Sequence, residues 1–156
     1  MNGTSQENSQ AIFNVDKIYV KDLSLEVPNA PKIFLERENP QIDIRLHTQA
    51  GTIEESQFEV VVMATVTAKV GERVVFLIEV KQAGIFQIRN VPTEDVEPIL
   101  AVTCPNILFP YLREVVSNLS VRGGFAPALL NPINFEAIYQ QRKQQQAQAA
   151  LSKTEH

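Results

Sequence analysis

The stretch from Cys104 to Gly124 constrains the fold of this chain more than any other. Its apolar residues recur at the three- and four-residue spacings of one helix face, while polar residues fill the other face. The apolar positions are Leu108, Leu112, Val115, Val116 and Leu119. Proline is tolerated in a first helical turn and glycine is a usual stop, so Pro110 and Gly123 predict a helix over residues 108–121. Such a helix must cover a core.

The polar flank of this predicted helix carries Ser117, Asn118 and Ser120 in place of long charged side chains. A helix face that meets only water is usually more strongly charged. Small polar residues allow a neighbouring surface to approach closely and can hydrogen-bond across the contact. We therefore predict that this flank lies at an interface between subunits.

Four segments before the helix predict β-strands, because apolar and polar residues alternate along them. They cover residues 11–27, 41–48, 58–70 and 73–81. Prolines end the first strand, residues 49–52 predict a turn, and Gly71-Glu72 predicts a hairpin. Strands followed by helices are typical of an α+β fold, here a four-stranded antiparallel sheet whose apolar face the 108–121 helix covers.

Apolar residues also interrupt the alternation. In the first strand Ile12, Ile18 and Val20 are out of phase, which predicts that both faces of its first half make contacts. The third and fourth strands carry apolar residues on both faces, namely Val61, Met63, Val75 and Leu77. One helix cannot cover both sides of a sheet, so we expect the surplus to serve both subunit association and binding.

The length of 156 residues fits one domain with its own core. Residues 1–10 are polar and predict a disordered tail. Residues 11–140 form the predicted domain, in which Asn134 caps a last helix. Residues 141–156 are rich in Gln and Ala and predict the end of that helix and a frayed tail.

Charge and cysteine content narrow the class of protein. A net charge of -4 disfavours a nucleic-acid binder, because phosphate recognition needs an excess of Lys and Arg. The N-terminus lacks the pattern of a signal peptide, and we expect no apolar stretch of membrane-spanning length. The single cysteine favours a reducing cytoplasm. We expect no metal and no cofactor.

The sequence offers only weak candidates for a catalytic site. Cys104 as nucleophile would need His47 as its base, and a lone pair of this kind is far more often structural. Asp22 and Glu26 share one strand face about 13 Å apart, at about 3.3 Å per residue. That separation is too large for an acid/base pair and suits a docking patch or a plain solvated face. A small cleft enzyme using Cys104 stays as a minor alternative.

The chain resembles the SecB family of bacterial protein-export chaperones over residues 11–140. The resemblance rests on IYVKDLS at 18–24, EVPNAP at 26–31, GIF at 84–86, CPNILFPYLRE at 104–114, RGGF at 122–125 and PINF at 132–135. It implies an ATP-independent homotetramer, a dimer of dimers, that holds unfolded secretory precursors and delivers them to the motor ATPase SecA. A SecB-like chaperone dedicated to a specialised client, such as a toxin–antitoxin partner, and a purely structural subunit are alternatives.

The resemblance also assigns residues. The SecA-docking face corresponds to Asp22, Glu26, Leu77 and Glu79. The tetramer interface corresponds to Ile78, Val80 and Gln82, joined by Leu112, Val116, Leu119 and Ser120 of the central helix. The client groove is expected at Leu25, Val27, Ile33, Phe34, Phe135, Ile138 and Tyr139. Glu38 stands where the family often has a tryptophan, which predicts a more polar end of the groove.

Overall fold

The computed structural model of the protein describes residues 10–154. All but the last residue of the tail predicted over residues 1–10 lies outside the described residues, as do the final two residues of the chain.

Four strands form one antiparallel sheet, as predicted. They are β1 (Ile12–Glu26), β2 (Gln41–Glu54), β3 (Gln57–Val70) and β4 (Arg73–Arg89). Their order across the sheet is β1-β4-β3-β2, so β1 and β2 form the two edges. The segment between β1 and β2 therefore crosses from one edge of the sheet to the other, and a short 3-10 turn, Lys32–Leu35, lies within it.

The structure corrects one predicted turn and confirms another. β2 continues through residues 49–52, where a turn was predicted, and Gly51 stays in the ladder opposite Glu59. The chain reverses instead after Glu54, where Ser56 adopts a φ of 66°. Hydrogen bonding along β3 outweighs the local turn preference of the glycine. The hairpin at Gly71 is confirmed, with φ at 61°.

Two β-bulges in β1 explain its broken alternation. The register against β4 shifts between Val15 and Lys17 and again between Val20 and Asp22. Each bulge inserts one extra residue and so moves the following side chains to the other face. Ile18 therefore lies opposite Gly84, on the same sheet face as its apolar neighbours along β1. Both faces of the strand's first half still make contacts, since Ile18 packs against the core and Tyr19 reaches Glu59 on the other face.

The helices follow the sheet. α1 (Thr93–Pro98) leads through a π-helical turn, Ile99–Thr103, into α2 (Cys104–Arg122), and α3 (Phe135–Thr154) ends the described chain. α2 begins four residues earlier than predicted and contains Pro110. Pro110 has no N–H, so the carbonyl of Asn106 loses its usual helical hydrogen bond. Both residues are exposed, and water can satisfy that carbonyl. The predicted cap of α3 is confirmed, since the Ala137 N–H donates to Asn134 Oδ1 at 3.0 Å.

α2 packs on the centre of the sheet, over β3 and β4. Its contacts with the sheet are made by fully buried side chains, namely Cys104, Leu108, Leu112 and Val116 on the helix and Val62, Val66, Ile78 and Val80 beneath it. Gly84 lies below Leu108, where an added Cβ would be 2.9 Å from Leu108 Cδ2. The absence of a side chain at Gly84 therefore lets the helix approach the strand closely.

The helical run Thr93–Arg122 contains an 18-residue window with a mean hydropathy of 1.3, which is long and apolar enough to cross a membrane. The prediction that no stretch reaches that length is wrong. The run nevertheless packs one face on the sheet and exposes Arg113 and Glu114 on the other. Its apolar character is that of a core helix.

Candidate functional site

The four residues predicted to dock SecA lie together on one surface. Glu26 is the cross-strand partner of Leu77, Ser24 is the partner of Glu79, and Asp22 is the partner of Lys81. All of them are on the face of the sheet that points away from α2, which we call the outer face. The acidic residues are exposed and Leu77 is half-buried between them. The arrangement is an acidic patch with an apolar centre.

The outer face also holds a polar network that sequence reasoning missed. Lys21 Nζ of β1 lies 2.8 Å from Glu59 Oε1 of β3, and the Tyr19 hydroxyl donates to the other oxygen of Glu59. These contacts pass over β4, which lies between the two strands. Asp16 makes a similar bridge, accepting a hydrogen bond from Gln57 Nε2 at 3.4 Å. Asp16 and Lys21 are the residues inserted at the two bulges, which turn them toward this face.

The network changes the acidity of its members. Burial, together with the hydrogen bond to Glu59, raises the pKa of Tyr19 to about 12. The hydrogen bonds from Lys21 and Tyr19 hold the pKa of Glu59 below its usual range. Glu59 is therefore ionised at neutral pH and Tyr19 keeps its proton. The contact of Tyr19 and Lys21 with Glu59 can be predicted only when the order of the strands in the sheet is known.

Of the residues predicted to bind clients, Ile33 and Phe34 lie in one patch and Phe135, Ile138 and Tyr139 in another, while Leu25 and Val27 are half-buried against the core. The first, which we call the loop patch, lies at the end of α2, where Phe34 stacks on Phe125 with ring centroids 5.3 Å apart. Phe125 in turn lies 5.1 Å from Phe76 in the core. Gly124, with φ at 93°, makes room for Phe34, because a Cβ there would approach Phe34 Cε1 to 3.0 Å. Phe34 is 49% exposed, whereas Ile33 beside it is buried.

The second patch, the helix patch, lies where α3 begins. Phe135 packs edge-on against Phe109 with ring centroids 6.0 Å apart. Tyr139 is buried under Lys143, whose Nζ lies 5.2 Å from the ring centroid, while Ile138 is exposed. A cleft of about 160 Å³ opens beside Tyr139, between the end of α1 and β2.

The two patches lie at different positions along α2, and the connection that follows the helix runs between them. They are separated by about 20 Å, since α2 rises about 1.5 Å per residue from Phe109 to its end. Residues 125–134 run back between them and expose Leu129 to 70%. Ser120 holds this connection to the helix, because its Oγ accepts a hydrogen bond from the Ala128 N–H at 2.8 Å. Leu129 thus adds exposed apolar surface between the two patches, and the client groove itself stays a prediction.

The residues assigned to the tetramer interface are all buried within the single chain. Ile78, Val80 and Gln82 lie under α2, and the apolar helix residues face the sheet. Ser120 was expected to hydrogen-bond across the interface, but its hydroxyl donates to the Ser117 carbonyl oxygen and accepts from Ala128. These side chains therefore position α2 on the sheet, and their part in assembly stays a prediction.

The exposed apolar surface lies in a different place from the one predicted. On the outer face Val61 is buried and Met63 is half-buried. The larger apolar exposure is on the α2 side of the sheet, beyond the reach of the helix. It comprises Phe13, Val15, Val20 and Leu23 of β1 and Ile42 and Ile44 of β2.

The structure separates the two candidate catalytic residues. Cys104 is buried at the start of α2, on one side of the sheet, and burial raises the pKa of its thiol to about 12. His47 lies opposite Met63 on the outer face, on the other side. Among residues 10–154, no group of three or more His, Cys, Asp or Glu side chains is arranged to hold a metal ion. The alternative of a cleft enzyme that uses Cys104 is therefore not supported.

Sequence comparison identifies relatives over nearly the whole chain. The family described as preprotein translocase subunit SecB matches residues 6–146. A protein-export protein SecB of Nitrosospira multiformis is 53% identical over 150 residues, covering 96% of this chain and 94% of the relative. The protein of the same name from Dechloromonas aromatica is 58% identical over 144 residues, covering 92% and 95%.

A solved structure shows the same fold. It is a SecB-like chaperone of Mycobacterium tuberculosis in complex with a ChAD peptide from an antitoxin. It superposes with a TM-score of 0.65 over 78% of this chain and 90% of the other, at 20% identity. At that identity the likeness concerns the fold alone.

Proposed function

This chain belongs to the SecB family, and from that premise we infer that it is a chaperone of protein export, which holds unfolded secretory precursors and delivers them to SecA. Relatives at 53–58% identity carry the name of the export protein. A dedicated toxin–antitoxin client is not favoured, because the likeness to the antitoxin-bound structure reaches only 20% identity. We place the protein in the cytoplasm, where precursors wait before export.

The exposed aromatic and aliphatic side chains of the loop patch and the helix patch carry the proposal for client binding. An unfolded segment gains about 25 cal/mol for each Å² of apolar surface that it buries. Such burial requires apolar side chains in the client and no particular order of them. The exposed edges of β1 and β2 can add hydrogen bonds to an extended client backbone, which are independent of its sequence. The protein would therefore bind many unfolded chains, with no covalent step and no ATP.

We propose further that the chain assembles as a dimer of dimers. The apolar side chains of β1 and β2 left exposed on the α2 side support association, because soluble monomers rarely expose a large contiguous apolar surface. Several copies would present several pairs of patches to one client. Each contact raises the effective concentration of the client at the next patch, so weak sites combine into tight holding.

Light scattering of the purified protein, alone and with a chemically unfolded precursor, tests this function. We expect a particle of about 70 kDa, four chains of 17.5 kDa each, that retains the unfolded precursor and ignores its folded form. A particle of that size that does not slow aggregation of the precursor would instead indicate a structural subunit. A monomer would contradict the assembly.

The acidic patch on the outer face supports the docking proposal. We expect Asp22→Lys combined with Glu26→Lys to weaken SecA binding at low salt by about tenfold or more, since like charges across an interface repel. The effect should shrink as salt rises, because the charges are exposed and screened. Isothermal titration calorimetry at two salt concentrations measures it.

A matched control is Glu54→Lys combined with Glu55→Lys, which makes the same change of net charge at the turn between β2 and β3. We expect this control to bind SecA almost normally and both variants to hold clients. Equal losses of SecA affinity in the two variants would assign the effect to net charge and remove the docking site from the outer face.

A further inference from the structure

Lys21 and Asp22 are adjacent in the chain, yet both point to the outer face. In a regular strand, neighbouring residues point to opposite faces, but the bulge between Val20 and Asp22 inserts Lys21 on the outer side. The bulge thus places an ammonium group next to an acidic residue of the proposed docking patch. An ion pair between the two would neutralise the carboxylate.

The structure shows Lys21 engaged elsewhere. Its Nζ lies 2.8 Å from Glu59 Oε1, and the Tyr19 hydroxyl donates to the same carboxylate. Asp22 makes no ion pair within 4 Å among residues 10–154, although Lys81 lies on the strand opposite it. The carboxylate of Asp22 is therefore exposed and open to a cation from outside the chain.

We propose that Glu59 is a positioning residue for partner binding: it holds Lys21 across β4 and so keeps the Asp22 carboxylate free for a basic group of the docking partner. The inference rests on the proposed docking function of the outer face. Glu59 lies on β3, two strands away from Asp22, and does not itself belong to the patch. Tyr19 supports this role, because its hydrogen bond fixes the Glu59 carboxylate in place.

Four forms of the protein test the proposal by calorimetric titration with SecA at low salt: wild type, Glu59→Gln, Lys21→Gln and the double variant. Glutamine keeps an oxygen that accepts the Tyr19 hydrogen bond but loses the negative charge that attracts Lys21. We expect Glu59→Gln to weaken binding two- to fivefold, about the strength of an exposed ion pair. The double variant should return to the wild-type affinity, because the lysine that Glu59 released is no longer present to neutralise Asp22. A loss that persists in the double variant would overturn the proposal.

The variant Asp16→Asn controls for net charge. Asp16 also sits at a bulge and bridges β1 to β3, but its loss releases no cation. We expect this variant to bind SecA as wild type does. If it weakens binding as much as Glu59→Gln does, the effect is one of net charge and the positioning role is wrong.

A crystal structure of the Glu59→Gln variant separates this inference from the docking function. We expect Lys21 Nζ within 4 Å of the Asp22 carboxylate, and a lysine that stays over β4 would overturn the inference whatever the binding data show. An Asp22→Asn variant that binds SecA normally would instead contradict the docking proposal. The crystal structure would still decide where Lys21 goes.

Discussion

Replacing Phe76 with alanine is expected to lower the free energy of unfolding by about 3–5 kcal/mol, the usual cost of removing a buried phenylalanine ring. Phe76 is 2% exposed and lies 5.1 Å from Phe125, measured between ring centroids. Phe125 in turn stacks on Phe34 of the loop patch. The cavity left at Phe76 therefore removes support from the exposed ring, and we expect client holding to weaken as well.

Circular dichroism during urea unfolding measures the stability, since the chain has no tryptophan to report by fluorescence. All variants must be compared at one protein concentration, because association shifts apparent stability. The matched variant is Phe34→Ala, which removes a half-exposed ring from the same stack. It should cost much less stability, about 1 kcal/mol for the lost aromatic contact, and weaken client holding at least as much.

Client capture by the folded fraction decides whether the ring stack matters to function. If Phe76→Ala still captures an unfolded precursor as tightly as wild type does, then Phe125 needs no support from the core and the loop patch is independent of it. A stability loss below about 1 kcal/mol would show that the ring is not packed as described.

The sheet and its helix cover could be predicted because local patterns determine them. Alternation along β3 and the helical spacing from Leu108 to Leu119 give the same core that the structure shows. The cap at Asn134 and the hairpin at Gly71 also depend only on neighbouring residues. In each case the physical cause lies within a few residues of the feature.

The features that sequence reasoning missed depend on strand neighbours. Gly51 looks like a turn residue until β3 is placed beside it, and the bulges of β1 are set by its register with β4. The Lys21–Glu59 bridge joins residues 38 positions apart across an intervening strand. The residues predicted to dock SecA could be placed on one face, because alternate residues of a strand share a face and directly paired residues of two strands do too.

The interface residues show a different limit. Alternation correctly places Ile78 and Val80 on one sheet face, but it does not say whether that face meets the chain's own helix or another subunit. The structure places both under α2. A charged residue at either position would disrupt the core of the protomer before it tested the assembly.

Gly84→Val is expected to destabilise the protein by about 3 kcal/mol, at the upper end of the range for overpacked cores. A Cβ at this position would lie 2.9 Å from both Leu108 Cδ2 and Phe86 Cε2. Both neighbours are fully buried, so neither can swing into solvent to make room. The helix must lift from β4, or the strand must bend. Urea unfolding at a fixed protein concentration measures the loss.

Gly51→Val is the matched control, because Gly51 also lies within a strand and a Cβ there meets nothing within 4 Å. Valine suits an extended backbone better than glycine, so this variant should be neutral or more stable by up to about 1 kcal/mol. The contrast separates a general effect of adding a side chain from the clash with α2. Equal destabilisation at both glycines would refute the close approach of helix and strand.

The double variant Gly84→Val with Leu108→Ala identifies the clashing partner. Leu108→Ala alone should cost about 2–5 kcal/mol through the cavity that it leaves. The valine at position 84 fills part of that cavity, so the two losses should sum to more than the double variant shows, by about 1–3 kcal/mol. Strictly additive losses would mean that the side chains at these positions do not compete for the same space. The close packing of α2 on β4 would then have to be explained by other contacts. The same would hold for the spacing of the two predicted client patches along the helix.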